Sequence, residues 1–395
     1  MDKNNKPIPF IDLKTQQKQI RKKIETSILN VLDHGRYILG PEVKEFEEKL
    51  ADFVGVKHCI GVSSGTDALL MGLMAQGVKP GDAVFTTPFT FIATAEVVSL
   101  LGATPVFVDI DPVTFNLDPE LLKLAIKAVK NCDPSIYPIP QDESGAPLKL
   151  NPRGIIPVDL FGLPAEYDAI TTIADEHDLF VLEDAAQGLG GVYKGRQAGG
   201  LGDMGTTSFF PAKPLGCYGD GGAVFTNDDQ LADRVRSIRV HGKGVDKYDN
   251  IRIGVNGRLH TMQAALLIPK LELFSNEIIA RQRVARQYNK GLKDVNLTTP
   301  VVPDGLQSVW AQYTLVCEDR DQVQNYLKNS KIPTAVYYGK CLHLQPAYAN
   351  LNYRKADMPH SEYASHNVFS LPMHPYLEDD DINGIVGAVV AACNQ

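Results

Sequence analysis

The sequence predicts an α/β fold: a mostly parallel central sheet sandwiched by helices, followed by a smaller C-terminal α+β unit. Three observations predict it. Short runs of β-branched and aromatic residues recur from about residue 45 to 270, with helical periodicity between them. The turns that separate them are rich in Gly, Ser, Thr and Pro, which break regular structure. After about residue 295 the alternation gives way to a mixture of strands and helices. A chain of 395 residues can bury two cores. The division expected is 1–270 for the large α/β unit with its N-terminal helix and 271–395 for the small one.

The first forty residues hold one basic helix, about 15–33, closed by His34-Gly35. Strands are expected at 59–62, 83–86, 105–109, 155–158, 179–182, 207–210 and 223–226. Helical spacing fills the gaps at 67–76, 90–101, 119–129, 167–176 and 229–239. A long helical pattern from 261 to about 292, interrupted near Pro269, joins the two units. The small unit then offers a strand at 310–316 and helices at 321–330 and 379–392. Residues 131–152 are rich in proline and polar residues and predict a long surface loop, an extension of the domain. The sequence contains no internal repeat.

Composition excludes several function classes. The net charge is −8, with acidic and basic residues interspersed, which argues against a broad nucleic-acid surface. The N-terminal residues lack the apolar core of a secretory signal, and apolar stretches such as 385–393 are far too short to span a bilayer. Six scattered cysteines without C-x-x-C pairing read as reduced thiols of a cytoplasmic protein. No histidine spacing suits a metal, and no metal site is expected.

The chemistry gathers around Lys213, in the run Ser208-Phe-Phe-Pro-Ala-Lys-Pro-Leu-Gly-Cys-Tyr-Gly-Asp-Gly-Gly222. Prolines and glycines hold this lysine on irregular backbone, where an amine can be fixed at one point and form a Schiff base with a carbonyl cofactor. Asp184 follows an apolar strand, at the carboxyl end where α/β proteins collect ligand groups. A buried carboxylate there needs a cation, and a protonated pyridine nitrogen of pyridoxal phosphate (PLP) is one. Gln187 can donate to the ring's phenolic oxygen, while Glu183 reads as a solvated or structural neighbour. The run Val62-Ser-Ser-Gly-Thr-Asp-Ala68 passes from a strand into a helix. Its free amides suit a phosphate, with Gly65 allowing close approach and Thr66 adding a hydroxyl; the same residues also simply cap helices. Ser208 offers a second hydroxyl. Phe91 or Phe89 could stack on a ring, although either alone reads as a core aromatic.

Phosphate cradle, ring stacker, nitrogen partner and lysine stand in this order along the chain. Order and content resemble fold-type I PLP enzymes, specifically the DegT/DnrJ/EryC1/StrS family of sugar aminotransferases. The resemblance runs from Ile8-Pro-Phe-Ile-Asp-Leu13 through Gly35-Arg-Tyr-Ile-Leu-Gly-Pro41, Pro157-Val-Asp-Leu-Phe-Gly162 and Gly254-Val-Asn-Gly-Arg258 to Leu342-His-Leu-Gln345. It implies that Lys213 carries the cofactor, with Asp184 on the ring nitrogen, Gln187 on the phenolic oxygen, and Phe91 stacked. It also implies that Gly65, Thr66 and Ser208 bind phosphate. Asn256 would reach the phosphate of a second subunit, so a homodimer with shared active sites is expected. Arg258 would lie at the same mouth and meet a substrate anion, with Arg239 and Lys243 as second candidates. Tyr337, Tyr338 and His343 would contact the sugar. Gly339 and Cys341 depart from the prolines of many relatives there.

The Lys213 run is most similar to enzymes that aminate C3 of a UDP-linked 2-acetamido-3-keto-uronic acid for bacterial surface polysaccharide. Glutamate would load the cofactor as pyridoxamine phosphate and the keto sugar would then take the amine, with Lys213 moving the proton in both directions. The alternatives are another keto sugar, such as a dTDP-4-keto hexose, a dehydratase, against which Lys213 argues, and a non-catalytic regulatory protein on the same fold.

Overall fold

Strand direction gathers Asp184, Ser208, Gly65 and Lys213 at the carboxyl ends of the parallel strands of a single sheet. The computed structural model describes residues 7–246 and 248–394. Its strands β1 (His58–Val62), β2 (Asp82–Thr86), β3 (Thr104–Phe107), β4 (Asn151–Ile156) and β5 (Phe180–Asp184) are followed by a small hairpin, β6 (Val192–Tyr193) and β7 (Arg196–Gln197). Strands β8 (Met204–Ser208) and β9 (Gly222–Thr226) complete a seven-stranded sheet of order β1-β9-β8-β5-β4-β2-β3. The pairs from β3 to β8 are parallel; β9 is antiparallel to both β8 and β1. Only β9 therefore runs against the rest.

Alternation along each strand divides the core into two layers, because successive side chains point to opposite faces. Ala83, Phe85, Ile155 and Val181 enter one cluster, and Val84, Ile156, Phe180 and Leu182 enter the other. Helices cover both faces, which is why these strands read as continuous apolar runs. They are α1 (Leu13–His34), α2 (Pro41–Val54), α3 (Gly65–Ala75), α4 (Ala93–Leu100), α5 (Pro119–Asn131), α6 (Tyr167–Glu176) and α7 (Asp229–Ile238), followed by the long α8 (Thr261–Gly291). Asp12 caps α1 by accepting from the Thr15 amide at 3.0 Å, and Gly35 ends it in the left-handed conformation. The second helix, α2, begins on Pro41 and adds a segment that the periodicity reading did not separate.

The C-terminal part contributes β10 (Leu306–Gln307), β11 (Tyr313–Val316), α9 (Arg320–Asn329), α10 (Pro359–Asn367), β12 (Val368–Leu371) and α11 (Asp379–Cys393). Val284, Tyr288, Leu315, Leu327, Phe369 and Ile385 form its own cluster. Leu342, Tyr348, Leu351 and Met358 instead join the sheet-side cluster around Phe107.

Several expectations need correction. The expected strand at 207–210 lies earlier, at Met204–Ser208, so Ser208 closes a strand. Asp184 is the last residue of β5 and not a residue beyond it. Pro269 does not interrupt α8, which packs along α1 and α2 as one helix. The 131–152 segment is a surface loop only at its tip. Tyr137 and Ile139 are buried in the core, and the Asn352 amide donates to the carbonyls of Gln141 (3.1 Å) and Asp142 (2.7 Å).

Candidate functional site

A cleft of about 660 Å³ opens at the carboxyl ends of the parallel strands, lined by Lys213, Asp184, the start of α3, and Tyr337 and Tyr338 from the C-terminal part. This is where an open α/β sheet collects ligand groups.

Asp184 is 4% exposed. One of its oxygens accepts from the Thr94 hydroxyl at 2.8 Å, the other from the Ala186 amide at 3.2 Å. Burial raises its pKa above the ordinary aspartate value; the two hydrogen bonds and the nearby Lys213 charge oppose that rise. The carboxylate has donors but no cation in direct contact among the described residues, and a cation in the cleft would supply one. Thr94, at the start of α4, is a partner that sequence reasoning missed.

Lys213 sits in a loop held at both ends. The Cys217 amide donates to the Phe209 carbonyl and the Lys213 amide to the Phe210 carbonyl, each at 2.8 Å. Beneath it, buried Lys270 donates to the Gly216 carbonyl at 2.6 Å, with its ammonium over the Tyr218 ring. Burial lowers the pKa of Lys213, against the opposing pull of Asp184. The shift enlarges the fraction of free amine, the form that attacks a carbonyl.

The amides at the N-terminus of α3 have no intrahelical partners and face the cleft from Ser64, Gly65 and Thr66. A Cβ on Gly65 would lie 2.6 Å from the Cβ of Ser208, so only glycine lets the start of α3 approach the end of β8. Ser64, as the helix cap, accepts from the Asp67 amide at 3.0 Å, which leaves the hydroxyls of Thr66 and Ser208 at the rim of the cradle. The choice between phenylalanines falls out of burial. Phe89 is fully buried against Phe115, Phe161 and Tyr338, whereas Phe91 is 58% exposed and lines the cleft, as does Phe210.

Gln187 accepts from the Phe161 amide at 2.7 Å and donates to the Tyr338 hydroxyl at 2.5 Å. Glu183 is not solvated. It is fully buried, accepts from the amides of Gly199 and Leu201, and has its pKa raised by burial.

Other expected site residues lie elsewhere. Arg239 is buried and spent, donating to Glu47 at 2.6 Å and to the Gly61 carbonyl at 2.9 Å, so it is not a substrate residue of this cleft. Lys243 does not line the cleft; its backbone pairs with Asn250. His343 is buried, with Nε2 3.1 Å from Glu362 and its pKa lowered by burial; the cleft that it borders is a separate one, against the 141–145 turn. Asn256 and Arg258 are hydrogen-bonded to each other and lie outside the cleft of their own chain. Asp220 and Gln312 line the cleft without having been singled out from sequence.

Comparison with known proteins places this geometry. The sequence matches the DegT/DnrJ/EryC1/StrS aminotransferase family over residues 18–390. It is 50% identical, over 97% of this chain and 99% of the relative, to the UDP-2-acetamido-2-deoxy-3-oxo-D-glucuronate aminotransferase of Pseudomonas aeruginosa. Among solved structures, a DegT DnrJ EryC1 StrS aminotransferase from Brucella abortus superposes with a TM-score of 0.92 at 49% identity, covering 98% of this chain and 100% of that one. DesV of S. venezuelae, in complex with a ketimine intermediate, superposes with a TM-score of 0.90 at 36% identity, covering 98% and 99%.

Proposed function

The chain belongs to the DegT/DnrJ/EryC1/StrS aminotransferase family, and we propose that it moves the amino group of glutamate to C3 of UDP-2-acetamido-2-deoxy-3-oxo-glucuronic acid. The observation that carries this reading is the meeting of Lys213 and Asp184 in one cleft with the α3 cradle. The likeness to the Pseudomonas aeruginosa enzyme supports the choice of sugar.

PLP is the cofactor of the enzyme. The donor set fits it: a buried carboxylate short of a cation, a partly buried amine with a lowered pKa, and a helix N-terminus approached through a glycine. When bound, PLP supplies the carbonyl that carries the amine and the ring that takes up electrons from the reacting carbon. Lys213 would hold that carbonyl, Asp184 the ring nitrogen and Gln187 the phenolic oxygen, with Phe91 on the ring face. Gly65, Thr66 and Ser208 would hold the phosphate. With the cofactor bound, Lys213 Nζ would accept the proton lost from glutamate Cα and, in the second half, would supply the proton gained by sugar C3. One positioned base thus serves both directions. Asp184 would keep positive charge on the ring nitrogen, which would make loss of the Cα proton easier.

Lys213 is the only basic side chain lining the cleft among the described residues. The sugar's carboxylate would be costly to bury without a further cation. We assign that cation to Arg258 of a second subunit, delivered with Asn256, in a homodimer with shared sites. Tyr337 and Tyr338 are the sugar-facing residues of the C-terminal part. The same reading places the enzyme in the cytoplasm and its product in bacterial surface polysaccharide. All six cysteines are free, and among the described residues no helix is long and apolar enough to cross a membrane.

Incubation with nitrogen-labelled glutamate and a panel of keto-sugar nucleotides tests the function. Mass spectrometry should find the label in the 3-amino uronate, formed faster than any 4-amino hexose. Preference for another keto sugar would overturn the substrate. The shared site has its own test. Inactive Lys213→Ala and Asn256→Asp proteins, mixed until subunits exchange, should regain up to about a quarter of wild-type activity, because half the protein is heterodimer and one of its two sites carries neither lesion. Verified exchange without recovery would show that each site is built within one chain.

A further inference from the structure

Lys213 lies in the connection between β8 and β9, and its flexible side chain places an amine only if the backbone beneath it is fixed. The loop's own hydrogen bonds are internal: the amides of Lys213, Cys217 and Phe209 donate to the carbonyls of Phe210, Phe209 and Gly221. Those that tie the backbone of residues 213–218 to another element come, among the described residues, from two side chains of α8. Gln263 accepts from the Tyr218 amide at 3.0 Å and donates to the Tyr218 carbonyl at 3.4 Å. Lys270 donates to the Gly216 carbonyl at 2.6 Å. The two stand about two helical turns apart, on one face of α8. Gly216 is itself folded tightly onto the start of the loop, since a Cβ there would lie 2.6 Å from the Pro211 carbonyl oxygen. A hold on Gly216 is therefore a hold on the turn that carries Lys213.

The ammonium of Lys270 is kept there at a cost. The residue is 1% exposed, and Nζ meets one carbonyl and the Tyr218 ring, whose centre is 4.1 Å away. Burial lowers its pKa to about 8, with the charge of Glu277, further along α8, opposing that fall. Methionine would fill the same space without this cost, and apolar replacement of buried charge often leaves stability unchanged or raised. Packing alone does not account for a lysine here. We propose that Lys270 is a positioning residue for catalysis: with Gln263 it fixes the loop so that the Lys213 amine meets the cofactor carbonyl and the carbon that loses or gains a proton. The inference rests on the reading of Lys213 given above. The same amine acts in both halves of the reaction, so an error in its placement slows both and leaves the binding of either substrate alone.

Lys270→Met tests this in the holoenzyme, with each half-reaction followed separately by single-turnover spectroscopy. The content of bound PLP should stay within about twofold of wild type, while the share that a brief borohydride pulse fixes to Lys213 should fall to about half or less. The limiting rate should fall about 10- to 100-fold in the glutamate half and in the keto-sugar half alike, as a misplacement of about 1 Å implies. The half-saturating concentration of each substrate should stay within about threefold. Gln263→Leu removes the other tie and should show the same pattern more weakly; it decides the matter if Lys270→Met does not fold. Unchanged rates in both variants overturn the proposal, even if the melting temperature falls. So does a loss confined to one half, or one carried by substrate binding. A wild-type adduct on a lysine other than Lys213 would instead overturn the reading beneath the proposal, which keeps the two failures distinct.

Discussion

Lys213→Ala is expected to bind PLP without covalent attachment and to lose about 10³-fold or more in kcat, because one substitution removes both the nucleophile and the proton carrier. The fold should persist. The loop is fixed by backbone hydrogen bonds from Lys213 and Cys217 and by the Lys270 contact to Gly216, none of which uses the Lys213 side chain. Steady-state transamination together with the absorbance of bound cofactor checks both parts. Retention of more than about a tenth of wild-type turnover would mean that another group serves as base.

Asp184→Asn should lower kcat on the order of a hundredfold or more, as loss of a directed electrostatic contact does. The substitution nearly preserves shape, and an asparagine oxygen can still accept from the Ala186 amide while the Thr94 hydroxyl turns to accept from the new NH₂. What disappears is the negative charge. In wild type, burial pushes the Asp184 pKa up while the hydrogen bonds and the Lys213 charge resist, and a pyridinium in the cleft would add to that resistance. Near-normal transamination in the variant would reduce the carboxylate to a structural role.

The parts of this site that the sequence displayed are those in which a residue's role follows from its immediate neighbours. Gly65 between a strand and a helix, Lys213 among prolines and glycines, and Asp184 after an apolar strand are all local patterns. What was hidden depends on partners distant in the chain. Thr94 meets Asp184 across 90 residues, Arg239 is taken up by Glu47, and His343 by Glu362. An arginine or histidine near a motif looks available until its partner is placed. Strand direction was equally illegible, since β9 is a short, fully buried run like its parallel neighbours. The position of Ser208 shifted for a related reason: apolar Phe209 and Phe210 extend the run, yet Phe209 turns into the core around Phe46 while Phe210 faces the cleft. Helix α8 continued through Pro269 because burial against α1 and α2 outweighs one lost backbone hydrogen bond.

The central claim is that Lys213 carries the cofactor of an aminotransferase. Borohydride reduction of the purified holoenzyme, followed by peptide mapping, tests it most directly. The account predicts a single pyridoxyl adduct, on the peptide containing Lys213. An adduct on another lysine, Lys270 included, would contradict it.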